Sequence, residues 1–171
     1  MLRRDYPVEF LVEGVLAKGQ HALWGGPLKA CKTLTALDLA VSLAVGGRFL
    51  GYFRVPRPVK TIYLSGESGW PSFQDNLRRI SRAARIKEEE LGNLIVAIRL
   101  PKFGRFDYME VLKKEITHRE AEVVFVDCAY RAMGNSGDKA PNVISMGDLL
   151  DGVGSLFEEL NATAGLVAPC N

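Results

Sequence analysis

The segment "GGPLKACKT", residues 25–33, sets a lysine and a threonine side by side after a glycine-led turn. A phosphate-binding loop reads Gly, four residues, then Gly-Lys-Ser/Thr. Here Gly26 is followed by Pro27, Leu28, Lys29 and Ala30, and Cys31 stands in the place of the second glycine, before Lys32, Thr33 and Leu34. The chemistry on offer is anion binding from Gly25 to Leu34. Backbone N–H groups from about Lys29 to Thr33 can curl around phosphates, and the N-terminal end of a following helix adds its positive dipole. Lys32 can place an ammonium on the β- and γ-phosphates, and Thr33 can offer its hydroxyl to Mg²⁺. Pro27 has no N–H to donate and stiffens the entry. An ordinary strand-to-helix turn with an exposed lysine is the plain alternative, and the motif alone does not decide between them.

Two acids bear on the choice. "VVFVD" (123–127) is an apolar run that ends in Asp127, about ninety residues after the loop. An acid there can hold Mg²⁺ through water opposite Thr33; a turn or cap residue is the commoner reading of a single such acid. Glu67, in "IYLSGESG" (62–69), also follows an apolar run. It can orient or deprotonate an attacking water, or it can be an acid favoured by the dipole of the next helix. Lys32-Thr33, Glu67 and Asp127 on three separate strand ends argue together against coincidence.

Those residues need elements to hold them. The pattern alternates short apolar runs with longer periodic ones. Strands are expected over 21–26, 59–67, 93–100, 122–128 and 164–169, and helices over 32–47, 70–86, 107–120 and 145–160. Pro71 falls near a helix start, where proline is tolerated. Ala36, Ala40 and Ala44 fall four apart and make a small stripe that can pack closely on a sheet. Strands apolar on both faces, alternating with helices, imply an α/β fold with a parallel sheet sandwiched by helices. Ligands in such folds bind beyond the C-terminal strand ends. The loop, Glu67 and Asp127–Cys128 all fall there, as do Cys170 and Asn171.

The stretches "WGGPLKACKTLTALDLAVSLAVGGRFLGYF" (24–53), "TIYLSGESG" (61–69) and "VVFVDCAYRAMG" (123–134) resemble the RecA-like P-loop ATPases of the RepA helicase type, which are AAA-family ATPases of bacteria. The likeness runs from about residue 8 to the C-terminus. It implies a RecA-like P-loop NTPase core that uses ATP and Mg²⁺ in DNA-related metabolism. Residue by residue, Lys32 and Thr33 match the loop pair, Glu67 the glutamate that activates water, and Asp127 the magnesium aspartate. Similar proteins near this one often lack the second loop glycine, so Cys31 departs from the general pattern and not from what that subgroup allows. The chain closes on "VAPCN", where similar proteins have a polar sensor pair and further strands. A single ATPase domain, incomplete at its C-terminal end, is therefore expected. The resemblance also implies a neighbouring subunit that completes the site with an arginine or lysine, hence a homo-oligomer. A catalytically inactive nucleotide-binding regulatory module and a degenerate fragment are the alternatives.

Composition narrows the class. The chain has 171 residues, 47% of them apolar and 25% charged, as in an ordinary soluble domain. Lys and Arg number 22 against 20 Asp and Glu, which does not support a nucleic-acid partner through net charge, although Arg78, Arg79, Arg82 and Arg85 share one helix. No apolar run approaches the ~20 residues of a membrane helix. "MLRRDYPVEF" lacks the apolar stretch of a secretory signal. Three widely spaced cysteines make neither a disulfide framework nor a Cys-x-x-Cys metal pair. A cytoplasmic setting is expected.

Overall fold

The computed structural model describes residues 7–103, 105–133 and 143–169. At its centre is a five-stranded parallel sheet built from β3 (Ala22–Gly26), β6 (Thr61–Ser65), β7 (Leu94–Ala97), β8 (Val123–Asp127) and β9 (Thr163–Pro169). The spatial order is β3-β9-β8-β6-β7. Helices α1 (Lys32–Val45), α2 (Trp70–Ala84), α3 (Phe106–Arg119) and α5 (Val143–Glu159) connect the strands, and short α4 (Ala129–Met133) follows β8. This is the expected α/β sandwich.

Alternation along the strands splits the interior in two, because successive side chains point to opposite faces. Tyr63, Val123, Phe125 and Val167 pack with α1 and Phe73 of α2 on one face. Ile62, Leu64, Val124, Val126, Ala164 and Leu166 pack with α3 and α5 on the other. The α1 stripe of Ala36, Ala40 and Ala44 is fully buried. The helix closes at Gly46, which has φ +68°, with N–H bonds from Gly46 and Gly47 to the carbonyls of Leu43 and Ser42. A Cβ at Gly46 would also lie 2.8 Å from the Pro58 nitrogen, so glycine is needed there twice over.

Several details differ from the sequence expectation. Only β6, β8 and most of β9 are buried on both faces; β3 and β7 are the sheet edges and are half open, with Leu23 60% exposed. The expected strand 59–67 ends at Ser65, so Gly66 and Glu67 lie in the turn beyond it. The strand at 93–100 is only Leu94–Ala97, and a 3₁₀ turn, Glu88–Asn93, leads into it. Two hairpins were not expected: β1 (Phe10–Val12) with β2 (Leu16–Ala17), and β4 (Arg48–Phe49) with β5 (Phe53–Arg54). They are too short to show a period of two. Their Leu11, Val12, Leu16 and Phe49 cover the α1 side of the core.

Candidate functional site

The strand order creates the site. From β3 the chain passes through α1 and later re-enters the sheet at β6, beyond the places that β9 and β8 fill afterwards. A crevice forms where strand order reverses in this way. Over it lies a cleft of about 270 Å³, lined by Leu28 to Leu34, Glu67, Asp127, Cys128 and Val167 to Pro169. Residues from four strand ends, far apart in sequence, thus share one cavity.

The loop has the shape of an anion cradle. Lys29 and Cys31 take positive φ, +64° and +55°, while Ala30 between them does not. Alternating handedness of this kind turns successive N–H groups into one concavity. Cys31 is the N-cap of α1 and makes no side-chain cap bond, and the first turn holds no acid. The first N–H groups of a helix have no partner within it, so here they and the dipole are left to a ligand. Gly25, Gly26 and Pro27 do not line the cleft; they form its approach. Lys32 Nζ donates to the Gly26 carbonyl at 2.9 Å and to the Pro27 carbonyl at 2.7 Å. The ammonium is therefore tied across the loop mouth, and is not a group with a ligand as its sole partner, as the loop pattern alone suggests.

Asp127 is 1% exposed at the end of β8. Its Oδ2 accepts a hydrogen bond from the Tyr63 hydroxyl at 2.9 Å, and its Oδ1 has no partner. Burial pushes the carboxyl above its usual range; the hydrogen bond from the Tyr63 hydroxyl and the charge of Lys32 favour the carboxylate, and the charge of Glu67 opposes it. Ser65, beside Asp127 in the β6–β8 register, is buried too, and its hydroxyl has no partner. Burial also raises the Tyr63 phenol well above its ordinary value, so it stays a donor.

Glu67 is exposed at the rim of the cleft. Its turn is tied to the Asp127 strand: Gly66 N–H donates to the Asp127 carbonyl at 2.6 Å, and Arg131 of α4 donates to the Gly66 carbonyl. The Cys128 thiol lies against the Glu67 carboxylate, and burial, with that charge, raises its pKa. Of the three cysteines, Cys31 and Cys128 line the cleft. Cys170 and Asn171 lie outside the described residues.

Sequence reasoning did not single out Tyr63 or the Val167–Pro169 wall. A tyrosine inside a buried apolar strand was the available signal, because its hydroxyl needs a partner. The wall depends on β9 pairing with β3, Gly26 opposite Pro169, which no local pattern encodes. Of the helix arginines, Arg79 pairs with Asp75 at 2.8 Å and Arg85 caps the end of α2.

A parallel α/β sheet with an anion-cradling loop before its first helix, and two acids on neighbouring strand ends, defines the P-loop class of nucleotide-binding domains. The comparison with known families agrees. The chain belongs to the AAA_25 family of AAA domains, whose family model matches residues 2–168. It is thus an AAA-type domain, a class of ATP-binding P-loop ATPases. A search of curated proteins found no match. Among the described residues, no helix is long and apolar enough to cross a membrane.

Proposed function

We propose that this domain binds ATP with Mg²⁺ and hydrolyses it, as an ATPase of the RecA/RepA-like class. The observation that carries the reading is the single cleft that gathers Lys32, Thr33, Glu67 and Asp127. The resemblance to RepA-type helicases supports a role in DNA-related metabolism and a homo-oligomeric assembly.

The residues present fit a magnesium ion. The unpartnered, buried Asp127 Oδ1 and Ser65 hydroxyl are polar atoms that lack the hydrogen bonds such groups need. Mg²⁺ commonly uses only one or two protein ligands, with phosphates and water for the rest. Thr33 would bind it directly and Asp127 through water. Once bound, the ion screens phosphate oxygens as negative charge develops on them.

The chain supplies the remaining steps. The N–H groups from Lys29 to Leu34 hold the β- and γ-phosphates. Lys32 exchanges two neutral carbonyl acceptors for charged phosphate oxygens, which make hydrogen bonds roughly twice as strong. Glu67, on a turn anchored to the Asp127 strand, orients a water for attack and takes its proton. Lys32 then neutralises charge on the transferring group.

The test uses two variants. Lys32→Ala should abolish stabilisation by ATP, which for the parent is about 2.7 kcal/mol at a hundred times its Kd. The readout is the ATP-dependent shift, since losing the bonds to Gly26 and Pro27 itself costs the loop some stability. Glu67→Gln should still bind ATP while turnover falls by about 10² or more. Equal ATP stabilisation in parent and Lys32→Ala would refute the site. Parental turnover in Glu67→Gln would refute the role of that carboxylate.

A further inference from the structure

We propose that Tyr63 is a positioning residue for the metal side of the cleft: its hydroxyl holds Asp127 Oδ2 and leaves Oδ1 free to face the ion. The inference rests on the nucleotide-site reading above and adds a residue that the loop and acid motifs do not contain.

The argument starts from the cost of the hydroxyl. Tyr63 is fully buried in β6. Its ring stacks on Phe125 at 5.6 Å between centroids and 22° between planes, and meets Phe73 at 5.5 Å. Phenylalanine would fill the same space among these rings. A buried hydroxyl is unfavourable unless it is hydrogen-bonded, so its partners must account for it. They are Asp127 Oδ2 at 2.9 Å and, at the limit of bonding distance, the Thr33 carbonyl at 3.5 Å. Both belong to the two residues placed on either side of the ion. The phenol therefore links the start of α1 to the end of β8 from beneath the cleft. The aromatic stack locks the ring, the ring places the oxygen, and the oxygen selects which carboxylate oxygen is engaged. Loss of the partner of a directly ligating group commonly lowers metal affinity about 10- to 100-fold, and for Asp127, which acts through water, the low end of that range applies.

Tyr63→Phe keeps the ring packing and removes only the hydrogen bond. In the 171-residue chain with a non-hydrolysable ATP analogue, Mn²⁺ binding followed by electron paramagnetic resonance should weaken about ten-fold or more. In an Asp127→Asn background the same change should add less than about two-fold, because both act through one carboxylate. Mn²⁺ affinity in Tyr63→Phe within two-fold of the parent would overturn the inference and leave the nucleotide site standing. So would an effect that multiplies fully with Asp127→Asn. If the parent itself binds neither analogue nor Mn²⁺ with it, the proposed function falls, and the role of Tyr63 falls with it. The parent titration alone separates that case from the others.

Discussion

Replacing Cys31 with glycine perturbs the loop at the position where it leaves the usual phosphate-loop pattern. Cys31 sits at φ 55°, ψ 22°, in the left-handed region. A residue with a Cβ is strained there by about 1–2 kcal/mol. Glycine removes that strain but has more freedom to lose on folding, which returns about 0.4–1 kcal/mol. The middle of those two ranges gives a net gain of about 0.8 kcal/mol for Cys31→Gly. For a chain of this size that raises Tm by about 2–3 °C. The loop supplies its own controls. Lys29, at φ 64°, should respond to glycine with the same sign. Ala30, which is not at positive φ, should lose about 0.4–1 kcal/mol on the same change. Thermal unfolding without nucleotide reads all three. ATP affinity of Cys31→Gly should match or exceed that of the parent, since the backbone shape is kept and a side chain leaves the cleft wall. A Cys31→Gly protein less stable than the parent, with weaker ATP binding, would show that the thiol is needed and would refute the strain argument.

The strand ends opposite the cleft carry an ion-pair cluster, in which Arg57 bonds both oxygens of Glu122 at 2.6 and 2.7 Å and Lys18 lies 3.3 Å away. The Arg57 guanidinium holds the Glu122 carboxyl below its usual range against the opposing effect of burial. A lowered folded-state pKa contributes stability that is present above the unfolded value, about pH 4.3, and lost as pH falls through the folded value. Acid titration of stability should therefore be shallower below pH 5 in Glu122→Gln than in the parent, and identical curves would exclude a contribution from this pair. Gly165→Ala should destabilise by about 1–3 kcal/mol in chemical denaturation, because the new Cβ would lie 2.6 Å from Cδ1 of the buried Phe125 ring; a neutral change would mean that the stack on Tyr63 yields freely.

Local chemistry was legible without coordinates wherever it was written in consecutive residues. "CKT" after a glycine-led turn, and acids closing "VVFVD" and following "IYLSG", stand out together as candidates, because buried strands read as apolar runs and strand ends are where polar groups can reach a ligand. The same runs were enough for an α/β sandwich. Other features depend on partners distant in the chain. That β9 lies between β3 and β8, and so floors the cleft with Val167–Pro169, is a choice of pairing that no single strand encodes. The half-open character of β3 and β7 follows from that order, not from their own apolar sequences. The left-handed turn at Cys31 and the bonds from Lys32 to the Gly26 and Pro27 carbonyls belong to a loop held between an edge strand and a buried helix, and no residue type in it announces them. Tyr63 reads in the chain as one more apolar strand residue. Only folding brings its hydroxyl to a carboxylate 64 positions away, where burial removes water and leaves each polar atom to find its partner within the protein.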